Sequence, residues 1–234
     1  MTGDVRFVEL AQDLQAIQTN RVQDLPGALV EVTSAAASAI PGAAYAGITL
    51  LTAKDGRVAT AAASHKYAAL LDELQKRHRE GPCLHAARLG EAVVVNDIAT
   101  DDRWPRYRRE ALSRTPVRSV LSLPMFYDST RLGALNAFAD EVDAFDEASR
   151  TMATVYAALG ALAWGSFALH RQMTAAVESR DIIGQAKGML MERYKIDGEQ
   201  AFGILRKLSQ SSNTALRTVA SELVAAREPA GLDE

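Results

Sequence analysis

The chain carries a single cysteine, Cys83, in 234 residues. An internal disulfide is thereby excluded, and a lone thiol fits a reducing, cytoplasmic setting. Histidine is nearly as sparse. His65, His78, His85 and His170 are scattered, and no HxxxH or CxxC spacing is present to hold a metal ion. No apolar run approaches the roughly 18 to 20 residues of a membrane helix. The Ala-rich stretch 156–169 is shorter and is interrupted by Gly160, Gly165 and Ser166. The N-terminus, MTGDVRFVEL, is acidic and amphipathic, which does not read as a signal peptide. What is left, 48% apolar and 24% charged, is ordinary for a globular protein. The length suffices for one large or two smaller domains with packed cores.

Charge is distributed unevenly. Residues 171–227 hold nine basic and six acidic side chains, a net +3 in a chain of −3, so the remainder carries −6. Such asymmetry points mildly to a polyanionic partner, although a charged helix face is often only a solvated one. Within this segment apolar residues recur at helical spacing in three sets: Ile183, Ala186, Leu190, Met191; Ala201, Phe202, Leu205, Leu208; and Leu216, Val219, Ala220, Leu223. The pattern breaks between Tyr194 and Gly198. Asp197 with Gln200 three residues on predicts a capping box for the second helix, and the polar run Ser209–Asn213 predicts a turn from which Ser212 or Asn213 caps the third.

The motif Arg180-x-x-Ile183-Gly-Gln-Ala-Lys-Gly-Met-Leu-Met191, followed by Ala201-Phe202, Leu205-Arg206, Ser209, Asn213, Leu216-Arg217 and Val219-Ala220, resembles the ANTAR domain. That family is a three-helix output module of bacterial regulators that binds paired RNA hairpins and prevents transcription termination. The resemblance implies RNA contacts from Arg180, Gln185, Lys187, Arg206, Lys207, Ser209, Asn213 and Arg217. Amides and hydroxyls beside guanidinium groups suit loop bases and phosphates, because RNA is read mainly where it is unpaired. Tyr194 can stack on a splayed base or close the small core. A DNA-binding helix-turn-helix is disfavoured for want of a clearly basic recognition helix.

Upstream, Val5–Thr19 and Leu25–Ile40 predict helices, the second stopped by Pro41-Gly42. Ala44–Thr52 and Gly56–Ala63 predict paired strands joined at Lys54-Asp55-Gly56. A short helix over Leu70–His78, a loop at Glu80–Leu84 entering another helix, a brief strand at Ala92–Val95 and a charged segment from Asp101 to Arg114 follow. Val117–Met125 and Leu132–Ala139 predict two more strands joined around Asp128-Ser129. Glu80, Asp97, Asp101 and Asp102 read as turn formers and caps rather than catalytic carboxylates. The whole is an α+β sheet domain.

The stretches AGITLL, EGPCLHA, VVVNDIATDDRWPRY, VRSVLSLPM and LGALNAFA resemble a GAF domain, of the kind fused to ANTAR units in bacteria. The resemblance implies an antiparallel-sheet sensor holding a small, nucleotide-like ligand, with His65, Tyr67, Cys83, Trp104, Tyr107, Ser119 and Asn136 as pocket residues. No cofactor is identified; His65 and His85 lack a pattern that would ligate haem iron. Some GAF-fold proteins are methionine sulfoxide reductases, but those use more than one cysteine. Cys83 has no resolving thiol, so it reads as a small buried apolar residue, and the chain as a regulator rather than an enzyme.

From Asp143 to Arg193, Val155, Leu162, Leu169, Ala176, Ile183 and Leu190 stand seven apart, with Leu159, Ser166, Met173, Arg180 and Lys187 as the second register. Alternating spacings of four and three describe a coiled-coil seam on a helix of about 75 Å. Self-association as a homodimer is expected, the alternative being a helix that packs only on its own sheet. The resulting organisation is an N-terminal helix over 1–21, a GAF domain over 22–142, a linking coiled coil over 143–179, an ANTAR domain over 180–227 and a tail over 228–234. The expected function is signal-responsive, RNA-binding antitermination in the cytoplasm, without membrane or DNA. The alternatives are a sensor or scaffold without RNA output and, less favoured, a GAF-fold methionine sulfoxide reductase.

Overall fold

The computed structural model describes residues 24–52, 57–126 and 131–226. The expected helix over Val5–Thr19, the turns at Lys54–Gly56 and Asp128-Ser129, and the tail over 228–234 lie outside the described residues. The chain divides after Ala168 into two compact units.

The first unit is a five-stranded antiparallel sheet in the order β2-β1-β5-β4-β3. Its strands are β1 (Tyr45–Thr52), β2 (Val58–Ala63), β3 (Val93–Val95), β4 (Ser119–Phe126) and β5 (Arg131–Ala139). Alternation decides the layers, since successive strand side chains point to opposite faces. Leu121, Leu123 and Met125 of β4, with Leu135 and Ala137 of β5, face α1 (Leu25–Ala39) and the start of α5 (Glu147–Tyr194). Val120 and Phe138 face the other way, against α2 (Lys66–His78), α3 (Pro82–Leu89) and α4 (Pro105–Arg114). The α+β class expected from the sequence is the class observed.

Local chemistry explains the element ends. His65 Nδ1 accepts from the Tyr67 amide at 3.3 Å, capping α2 four residues earlier than apolar spacing predicted. The charged 101–114 segment contains a helix, α4, begun by Pro105. Trp104 provides no cap there; Glu80 Oε1 instead accepts from the Arg106 and Tyr107 amides at 2.7 and 3.1 Å.

The segment expected as a linker from residue 143 contributes Phe145, Ala153, Tyr156, Ala157, Leu159, Ala163 and Trp164 to the sheet's core. Leu159 is thus occupied within its own unit and does not serve a seam between chains. A Cβ on Gly160 would stand 2.7 Å from Met125 Cε, so this glycine marks the close approach of α5 to β4, whereas Gly165 faces open space. By length and composition alone α5 could cross a membrane, its most apolar 18-residue window having mean hydropathy 1.5. In this fold its early turns bury their apolar face on the sheet.

The second unit contains the end of α5, then α6 (Gly198–Ser212) and α7 (Leu216–Ala225). Its core is Ala186, Leu190, Ala201, Leu205 and Ala220, with Ile183, Ile196, Ile204 and Leu223 against it. The Asp197–Gln200 capping box is present, both partners bonded as predicted. Three expectations change. Ser209–Ser212 remain helical, and the Ser211 and Ser212 hydroxyls bond back to the Leu208 carbonyl. Asn213 caps the end of α6 in the left-handed region, while α7 starts after Ala215 without a side-chain cap. Met191, Phe202 and Leu208, assigned above to apolar faces, are exposed.

Candidate functional site: a buried polar cluster and a cationic three-helix surface

In the sheet unit, polar side chains gather on the face covered by α2, α3 and α4. Asn136 Nδ2 donates to Thr49 Oγ1 at 3.1 Å, and its Oδ1 accepts from Ser122 Oγ at 2.8 Å. Gln75 Oε1 accepts from the Cys83 amide at 2.9 Å. Gly81 permits that contact. Its φ is +142°, and a Cβ there would fall 2.4 Å from the Gln75 side chain. Three groups in this region lack hydrogen-bond partners among the described residues although buried: the Asp72 carboxylate at both oxygens, Gln75 Nε2 and the Tyr107 hydroxyl. An unpaired polar group out of water costs several kcal/mol if charged, so its proton affinity shifts instead.

Asp72 shows that shift. Burial pushes its carboxyl up to about 6; the Thr49 and Thr60 hydroxyls that face it soften the change without closing hydrogen bonds. Burial first, and then Asp72, push the Cys83 thiol up to about 12, and the Tyr107 phenol is raised by the same causes. A thiol so displaced carries almost no thiolate at neutral pH and is a poor nucleophile.

Of the expected pocket residues, Cys83, Tyr107 and Asn136 belong to this cluster. His65 and Tyr67 do not: they pack with Tyr45, whose ring stacks on His65 at 4.5 Å. Trp104 meets His85 edge-on and lies beneath Arg103 at 4.3 Å. Ser119 spends its hydroxyl on the Glu141 carbonyl at 2.7 Å. Asp72, Gln75, Thr49 and Ser122 were missed. The pairing of Asp72 with Glu73 in sequence resembles a solvated helix face.

In the helical unit, Arg180, Gln185, Arg206, Lys207, Asn213 and Arg217 are exposed and Lys187 is half-buried. Lys187 Nζ lies against Gly198, 3.1 Å from where a Cβ would stand. Ser209 donates to the Thr214 carbonyl at 2.6 Å, so its hydroxyl fastens the α6–α7 turn. Arg217 pairs with Glu178 at 2.8 Å. From residue 169 to 226, eight basic side chains are present, and among the described residues this is their one ion pair. A cleft of about 650 Å³ opens at the other end of α5, lined by Met189, Leu190, Glu192, Arg193, Tyr194, Lys195, Leu223 and Ala226. Tyr194 is 58% exposed there and takes no part in the core.

The GAF domain family model matches residues 22–164 and the ANTAR domain model residues 171–224. The GAF match includes the opening turns of α5 that lie on the sheet. Among solved structures, the GAF domain of a phosphoenolpyruvate-protein phosphotransferase from Coxiella burnetii is 19% identical at TM-score 0.55, over 73% of this chain and 96% of that one. The corresponding Acinetobacter domain is 18% identical at TM-score 0.55, over 72% and 95%. A free methionine-R-sulfoxide reductase from Neisseria meningitidis, solved with its substrate, is 17% identical at TM-score 0.53, over 69% and 89%. Identities this low speak to the fold alone. No curated protein matches the chain.

Proposed function

Because the chain belongs to the GAF domain family and carries an ANTAR domain behind it, we propose that it is a signal-responsive, RNA-binding regulator of transcription antitermination. The observation that carries this reading is the unneutralised charge of the helical unit. Arg180, Lys187, Arg193, Lys195, Arg206 and Lys207 have no acidic partner among the described residues, which leaves their charge for phosphates. Each protomer takes one hairpin of a twin-hairpin transcript and stabilises it against an overlapping terminator.

Dimerisation is supported by Leu162, Leu169, Met173 and Val177 of α5, which stand 58–62% exposed on one helix. A second copy offering the same stripe covers them, and two RNA heads are then held together. In the sensor unit a small, nucleotide-like ligand meets the buried cluster, where Asp72 accepts and Gln75 and Tyr107 donate. Binding biases the α5 pair only insofar as the ligand favours one arrangement over another. The reductase reading is opposed by the protonated, buried Cys83.

Transcription of a template bearing two hairpins ahead of a terminator tests the proposal. Added protein is expected to raise read-through several-fold, and unchanged termination at saturating protein contradicts it.

A further inference from the structure

The helix α5 ends at Tyr194, and the next residue, Lys195, turns the chain with φ +54°. Non-glycine residues pay for that left-handed conformation, and a lysine has no local hydrogen bond with which to offset it. Glycine at 195 would therefore relieve the backbone without changing the rest of the turn. Lys195 lines the same cleft as Arg193, Met189, Leu223 and Ala226, together with the exposed Tyr194. Glu192 is the single acid among the lining residues.

A flat, solvent-facing aromatic flanked by two cations and backed by aliphatic side chains matches what an unpaired nucleotide requires. The base stacks on the ring and the adjoining phosphate meets the cations, in a manner tolerant of sequence. A helical peptide would ask instead for a continuous apolar trough, and two charged side chains of one sign interrupt this one. We infer that the cleft at the end of α5 seats an unpaired base of the bound RNA, stacked on Tyr194, with Lys195 and Arg193 on its backbone. This rests on the RNA-binding reading and adds to it a contact surface at the α5–α6 junction, besides Arg206 and Lys207 within α6 and Asn213 at its C-terminal end.

The test uses the full chain, a labelled RNA of two hairpins joined by a short linker, and a blunt, fully paired RNA duplex for comparison. Tyr194→Ala is expected to weaken hairpin binding about 10-fold, within the range for loss of one stacked base, and to leave duplex binding unchanged. Tyr194→Phe keeps the ring and should stay within about 2-fold of wild type on the same ground. Lys195→Gly separates fold from function. It should raise the Tm yet weaken hairpin binding, with the slope of log affinity against log salt flattened by about 0.7.

Wild-type affinity in Tyr194→Ala overturns the inference and assigns the cleft to some other partner, such as a protein. Equal losses in Tyr194→Phe and Tyr194→Ala overturn stacking. If the wild-type chain ignores hairpin RNA altogether, both this inference and the proposed function fall. If it binds while the Tyr194 and Lys195 variants are indistinguishable from it, the cleft assignment alone falls.

Discussion

Arg217 Nη2 donates to Glu178 Oε2 at 2.8 Å, tying α7 to α5 across 39 residues of chain. Both side chains are about half exposed, at 50% and 56%. A pair in that setting is worth at most about 1 kcal/mol. Its consequence lies in charge: Glu178 neutralises the one arginine of the helical unit that has an ion-pair partner among the described residues. Glu178→Ala should therefore cost little stability and tighten hairpin binding a few-fold at low salt. Weaker binding would show that Glu178 positions Arg217 rather than competing for it.

Asp72 ties stability to pH. Its folded pKa, about 6, lies above the ordinary 3.8, so the folded state holds the proton more tightly than the unfolded chain does. Its stability is fully present below 3.8, declines as pH rises between the two values, and is lowest above 6; the span corresponds to about 3 kcal/mol. Asp72→Asn removes the titration. Thermal unfolding should show the variant more stable than wild type at pH 8 and little changed at pH 4. Equal shifts at both pH values would contradict the assignment.

The exposed stripe of α5 predicts a separable oligomerisation phenotype. Leu169→Glu with Met173→Glu places four like charges along a paired seam. Sedimentation should show the mass halved relative to wild type, with secondary structure retained. Affinity for a two-hairpin RNA should then fall toward that for one hairpin, a loss of about 100-fold or more where linkage had been effective. A wild-type chain that sediments as a monomer with and without RNA would refute the dimer.

The sheet was legible because burial on both faces leaves short, nearly continuous apolar runs bounded by turn residues, with Leu121, Leu123 and Met125 pointing one way and Val120 and Ser122 the other. The capping box at Asp197 was legible because it is local. The helix α4 was not, since only Tyr107 and Ala111 of its ten residues are buried and four arginines obscure the period. The heptad reading also overreached. Seven-residue spacing cannot tell a side chain that meets another chain from one that meets its own core. Leu159 is spent on the sheet and Leu190 on the three-helix core, which leaves Leu162 to Val177 for a partner. Asp72 escaped notice for a related reason: no pattern in one sequence distinguishes a carboxylate facing water from one enclosed by Thr49, Cys83 and Tyr107.

The most direct measurement is the affinity of the chain for a two-hairpin RNA across a salt series, for wild type and for Arg206→Ala with Lys207→Ala. Wild type should bind tightly at low salt, and the double variant should bind every hairpin more weakly, its salt slope flatter by about 1.4 to 1.8. Absence of hairpin binding at low salt, or identical slopes for the two proteins, would contradict the account.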